Sequence, residues 1–374
     1  MSGIYIHIPF CKQACVYCDF HFSTLQTNRG QMVEALIAEA KLRRGYLDSS
    51  PIHSVYFGGG TPSILGVDRI NWLMEELSQL FEISPQAEIS LEANPDDLSA
   101  GYLAELQKSA INRLSIGIQS FKEEDLRFMN RAHNAEESLR CLELLPQFGF
   151  SNYTIDLIYG LPGQSLADWQ WQLSFLKRFS VPHFSAYALT VEEKTVLHHQ
   201  VEKGEVSLTE DASYEHFVAL QKFAAEEGFS HYELSNFCKT GFHSRHNTSY
   251  WQSKPYLGLG PSAHSFNGTS RTWNVANNTL YLKGLEGGQS LAKTESLGKK
   301  DLYNELIMTR LRLQEGLNLK ELKTLGGDSC HQYCLAEARS EIAKGRLIIA
   351  KDQLYIPSEY RFQSDGIAAS LFKI

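Results

Sequence analysis

Residues 5–20 read Tyr5-Ile6-His7-Ile8-Pro9-Phe10-Cys11-Lys12-Gln13-Ala14-Cys15-Val16-Tyr17-Cys18-Asp19-Phe20. The apolar run from Ile4 to Phe10 has the composition of a strand. Three cysteines follow it directly, spaced C-x3-C-x2-C. Thiolates this close on one loop can converge on one small object. A four-iron cube normally takes four cysteines, so three leave one iron open for an outside ligand. S-adenosylmethionine (SAM), with its amino and carboxylate groups, is such a ligand. Zinc is the competing reading, with His7 or His21 as a distant fourth ligand. Zinc sites usually pair two C-x2-C units, and no second pair lies nearby. Cys330 and Cys334 stand i,i+4 on a predicted helix and read as a structural face.

Outward from this loop, β-prone and helix-periodic segments alternate. Strands are predicted at 4–8, 52–57, 88–92, 113–119, 153–158 and 184–190, with helices at 31–44, 69–81, 102–108, 135–145 and 166–179. Six β/α units in series predict an α/β fold with a parallel sheet. No strand is followed by G-x-G-x-x-G, so a partial TIM-type (β/α)6 barrel fits better than a dinucleotide-binding sheet. Chemistry in such barrels gathers at the C-terminal ends of the strands. Residues 1–235 are assigned to the barrel. Residues 236–298, rich in Gly, Asn, Ser and aromatics, read as an extended connection packed on it. Residues 299–374 read as a small domain of helices and one hairpin, resembling a winged helix.

Composition sets the outer limits. The 374 residues are 43% hydrophobic and 21% charged, with a net charge of −8. An acidic chain gives no basic footprint for nucleic acid. The last 76 residues carry 12 Lys/Arg against 10 Asp/Glu, too balanced for a DNA reader. No apolar run of membrane-spanning length occurs, and the N-terminus lacks the basic region of a signal peptide. A cytoplasmic protein is expected, with peripheral membrane contact left open. Seven cysteines, three of them crowded, argue for metal rather than disulfides in a reducing compartment.

The predicted strand ends carry polar groups. Gly58-Gly59-Gly60-Thr61-Pro62 follows the second strand and lacks the Lys-Ser/Thr of a P-loop. Glu92 closes the third strand and Gln119 the fourth. Asp156 lies in the fifth, and Arg131 stands in Met129-Asn130-Arg131-Ala132-His133. Singly, each could be a cap or a surface pair. Four on successive units argue for a shared site.

The C-x3-C-x2-C loop after the first strand resembles the radical SAM superfamily. Tyr5-Ile6-His7-Ile8-Pro9-Phe10-Cys11 more narrowly resembles the oxygen-independent coproporphyrinogen III oxidase group, which holds true oxidases and the HemW heme chaperones. The resemblance covers nearly the whole chain. It implies a [4Fe-4S] cluster on Cys11, Cys15 and Cys18. It also implies SAM contacts from Tyr5, Tyr17, Gly59, Gly60, Thr61, Glu92, Gln119, Arg131 and Asp156, with a backbone contact from Ala188. In that family the reduced cluster cleaves SAM, and the protein orients and shields what forms.

Two departures separate the sequence from the oxidases. They read C-x3-C-x2-C-x-C, whereas Phe20 stands where their fourth cysteine falls. They also carry a long segment before the cluster, for which ten residues leave no room. The chaperone branch shares both features, and also a string like His246-Asn247-Thr248-Ser249-Tyr250-Trp251. The resemblance makes His246, Tyr250 and Trp251 heme-binding candidates. A neutral imidazole can ligate heme iron, and the aromatics can lie against the macrocycle. A buried, hydrogen-bonded histidine is the plain alternative. His243 and Cys238 are competing ligands, and Arg245 could pair with a propionate. The expected function is heme binding and delivery to apo-hemoproteins such as respiratory-chain enzymes, with a homodimer possible. The alternatives are a radical decarboxylase of coproporphyrinogen and a radical methyltransferase.

Overall fold

The computed structural model describes residues 2–373. Six strands, β1 (Ser2–Ile8), β2 (Ile52–Gly59), β3 (Ile83–Ala93), β4 (Arg113–Gln119), β5 (Tyr153–Tyr159) and β6 (His183–Ala188), lie side by side in chain order, all parallel. Parallel neighbours need crossover connections, and helices supply them. These are α1 (Arg29–Leu42), α2 (Val67–Leu80), α3 (Ala100–Leu106), the pair α4 (Glu123–Phe128) and α5 (Ala135–Leu144), and α6 (Leu166–Arg178). Alternate strand residues such as Ile4, Ile6 and Ile8 are fully buried against this helical layer. Ser165 and Asn134 close capping boxes that start α6 and α5. The expected partial barrel is present, with element ends within a few residues of prediction.

The connection after β6 departs from expectation. Helices α7 (Val196–Glu202) and α8 (Glu210–Glu226) lead to β7 (Ser230–Glu233) and β8 (Asn236–Cys238), which extend the sheet beyond β6. Helix α9 (Arg245–Trp251) precedes β9 (Tyr256–Leu259), which pairs parallel with β1. Then β10 (His264–Phe266), β11 (Ser270–Trp273), α10 (Asn278–Glu286) and β12 (Lys293–Ser296) continue outward, giving twelve strands in one sheet. Residues 236–298 are therefore not a connection laid on the barrel but strands of both its edges. A boundary at 235/236 would cut the β7–β8 hairpin. Gly258 permits this closure: a Cβ there would stand 1.9 Å from the His264 carbonyl oxygen.

Beyond residue 298 a second core forms around Tyr303, Ile307, Leu322, Cys334 and Leu371. It is built from α11 (Lys299–Leu311), β13 (Leu317–Asn318), α12 (Leu319–Ala343), the β14 (Ile348–Ala350) and β15 (Gln353–Tyr355) hairpin, and α13 (Ser364–Ala369). Helix α12 is broken at Gly326 and Gly327, where the backbone leaves helical geometry.

Candidate functional site

The cysteine loop leaves β1 at the C-terminal mouth and is held from both sides. Cys11 N–H donates to the Ser23 carbonyl at 3.0 Å, and Ser23 N–H to Pro9 at 2.9 Å. Lys12 pairs with Asp96 and Asp97, just beyond the C-terminal end of β3. Val16 N–H donates to Met129 at 3.2 Å. Asn130, at φ +55°, donates its amide to Ala14 at 2.7 Å and accepts from Gln13 at 2.6 Å. Protein contacts thus hold the loop from both sides.

The three thiols open onto a cavity of about 490 Å³, a volume typical of small-molecule sites. Tyr17, Gly59, Gly60, Thr61, Glu92, Gln119, Arg131, Asp156 and Ala188 also line it. Nearly every residue expected at the site is therefore brought together. Tyr5 is the exception: it is not on the cavity wall, because its hydroxyl turns inward to bond His7 Nδ1 at 3.1 Å. Gly60 has a packing reason for lacking a side chain, since a Cβ would lie 2.5 Å from the Phe10 carbonyl oxygen. It lets the second strand's loop press against the cysteine loop. Phe20, 68% exposed, lines the rim.

Charge is poised around the thiols. Arg131 is half-buried, with Nη1 at 3.3 Å from Cys15 Sγ and Nη2 donating to Asn94 at 2.6 Å and Gly117 at 2.9 Å. Its Nε has no partner. Burial pushes the Cys18 thiol up to about 12 and raises Cys11 as well. A bound metal ion would hold such half-buried thiols as thiolates. The donor set, the orphaned guanidinium nitrogen and the cavity volume fit an iron–sulfur cluster with SAM beside it. Asn94, Asn130 and Tyr56 were missed in the sequence. Tyr56 donates to Glu92 at 2.8 Å, but a tyrosine in a strand carries no signal of that role.

Glu92 and Asp156 face the same cavity. Burial raises Glu92 to about 8, with Tyr56 and Gly59 N–H bonds opposing and Asp156 adding repulsion. Burial likewise raises Asp156 to about 6. A carboxyl whose pKa rises on folding holds a proton that the unfolded chain has lost. Stability from this group is therefore lost as pH rises through the 4.5-to-8 window. Cluster-free wild type is expected to lose stability relative to Glu92→Gln between pH 5 and pH 8 in urea melts. Parallel pH profiles would remove Glu92 as the source.

The His246 string lies elsewhere. Glu88, on β3, accepts N–H bonds from Arg245 and His246 at 3.1 and 3.0 Å and so anchors α9 under the barrel. There His246 is 1% exposed, Nδ1 bonded to Ser54 at 2.8 Å and Nε2 to Tyr250 at 2.8 Å. Its ring stacks on Tyr56 at 4.9 Å. Ser54 and Gly3, its neighbours, begin β2 and β1. The motif plugs the floor, some 15 Å of strand below the cysteines. Trp251 lies under the Arg312 guanidinium at 4.7 Å, and Arg310 donates to its carbonyl, locking α9 to α11. Both imidazole nitrogens are hydrogen-bonded and the ring is enclosed, as the plain alternative expected. Cys238 is fully buried too, while His243 is exposed.

Comparison with known proteins bears on this geometry. Residues 5–176 match the radical SAM superfamily and residues 297–359 the HemN C-terminal domain. The heme chaperone HemW of Mycobacterium tuberculosis is 33% identical over 99% of this chain and 94% of its own length. The chain belongs to the HemW family. The Bacillus subtilis member is 31% identical over 95% of each chain, and that of Escherichia coli 30% over 94% and 92%. The solved coproporphyrinogen III oxidase HemN of Escherichia coli superposes with a TM-score of 0.86, covering 100% of this chain and 90% of the oxidase. At 21% identity that likeness shows a shared fold. Among the described residues of this HemW-family chain, no helix is long and apolar enough to cross a membrane.

Proposed function

We propose that this chain binds heme and hands it to apo-hemoproteins such as respiratory-chain enzymes, holding a [4Fe-4S] cluster on Cys11, Cys15 and Cys18 and SAM in the mouth cavity. The observation that carries this reading is the near full-length match to curated heme chaperones. An exposed phenyl at Phe20, where the oxidases have a further cysteine, supports it over decarboxylation. When bound and reduced, the cluster supplies the electron that cleaves SAM.

The chain's own groups do the rest. Arg131, which lines the cavity and is held by Asn94, would pair with the SAM carboxylate. Glu92 and Asp156 would accept from the ribose hydroxyls or the ammonium, which in their ionised forms they can both do. Tyr17 and Ala188 close the adenine side. Coordination of heme iron by His246 requires α9 to leave the floor and break the Ser54 and Tyr250 bonds. Transfer to membrane enzymes and pairing into a homodimer belong to the same reading.

The test is anaerobic. Cluster-loaded protein is titrated with hemin, then mixed with an apo-cytochrome whose spectrum reports transfer. Stoichiometric heme uptake and recovery of the holo-cytochrome spectrum are expected. A His246→Ala chain that takes heme like the wild type removes His246 as the ligand. Conversion of coproporphyrinogen III to protoporphyrinogen IX with SAM and dithionite would favour the oxidase reading.

A further inference from the structure

Helix α7 carries His198, His199 and Glu202 on its outer side, and their ligand atoms all lie within 4.8 Å of one another. The helix is fixed in place first. Thr195 caps it by accepting from His198 N–H at 3.1 Å. Leu197 is fully buried, and its N–H donates to the Val16 carbonyl of the cysteine loop at 2.9 Å. With Leu197 turned inward, His199 and Glu202 are exposed and His198 lies half-buried beside them.

An i,i+4 His–Glu pair alone is an ordinary surface contact. Two observations go further. His199 Nδ1 stands 3.4 Å and His198 Nδ1 3.8 Å from the same Glu202 oxygen, Oε2. Two donors at about 2.0–2.1 Å from a tetrahedral zinc are about 3.3 Å apart, close to both His–Glu separations, and rotation of the two imidazoles, whose ligand atoms lie within 4.8 Å of each other, would close the set. In addition, His198 Nδ1 is buried and has no hydrogen-bond partner. A buried acceptor or donor left unpaired costs free energy, and a metal ion would satisfy it.

We propose that His198, His199 and Glu202 form a binding site for a divalent transition-metal ion, separate from the cysteine cluster. Two imidazoles and a carboxylate suit zinc and its first-row neighbours, with one position left to water. The ion ties the two turns of α7 together beside the loop that α7 supports.

Zinc(II) is the probe, titrated into the full-length, cluster-loaded chain without oxygen, with bound zinc, iron and sulfide counted after gel filtration. One zinc per chain at micromolar concentration is expected, with iron and sulfide unchanged. His199→Gln and Glu202→Gln should each weaken zinc binding about tenfold or more, as losing a ligand exceeds losing a supporting contact. His264→Gln, at an exposed histidine elsewhere, should leave it unchanged. Wild-type zinc affinity in the His198→Gln/His199→Gln/Glu202→Gln chain overturns the proposal. So does zinc uptake matched by loss of iron, or no uptake at all.

Discussion

Replacing Cys15 by alanine is expected to leave a folded chain that no longer assembles its cluster. The loop is held by Lys12 on Asp96 and Asp97, Val16 on Met129, and the paired amides of Gln13 and Asn130. None of these contacts uses the Cys15 sulfur. The sulfur accepts from Arg131 Nη1, whose guanidinium is also held by Asn94 and Gly117. Loss of the thiol therefore removes a ligand without removing the scaffold. With only two cysteines left, the cube has too few anchors. Iron after anaerobic reconstitution should fall from about four per chain to well under one. Far-ultraviolet circular dichroism and the urea midpoint should stay near those of the cluster-free wild type. Undiminished iron in the variant would show that these thiols do not hold the cluster.

His246→Ala should act on stability, through the barrel floor. Burial lowers its pKa to about 3, so the ring is neutral at any working pH. One nitrogen then donates and the other accepts, and the Ser54 and Tyr250 hydroxyls can turn to match. Alanine would leave both hydroxyls unpaired and open a cavity beside Tyr56. A cost of about 3 kcal/mol is expected from urea unfolding, by analogy with other large-to-small changes in buried sites. His246→Gln, which keeps a donor and an acceptor, should recover part of it. A change below about 1 kcal/mol would mean that α9 does not seal the floor as described.

The two variants sit at opposite ends of the same strands, and that separation was not legible in one dimension. The cysteine loop was. Its ligands are close in sequence, and so is the strand that delivers them, so local spacing suffices to name the chemistry. The six β/α units were legible for the same reason, since hydrophobic period changes from two to 3.6 within each unit. Glu92, Gln119, Asp156 and Arg131 could be placed because parallel strands must all end on one side.

What the chain order alone determined was therefore the repeating barrel, the cluster loop and the ring of polar groups at its mouth. Tertiary structure alone decided the rest. Strands of three or four residues, such as β8 to β11, carry too short a pattern to reveal a partner, and only the exposed edges of β6 and β1 recruit them. The clamp at Asn130 depends on Ala14 and Gln13, more than a hundred residues away, and Tyr5 stacks on His246, farther still along the chain. The fate of His246 depends on Glu88 and Ser54, which draw α9 under the floor. An imidazole reads alike as a ligand or as a core residue until the groups around it are known, because both roles use the same two nitrogens.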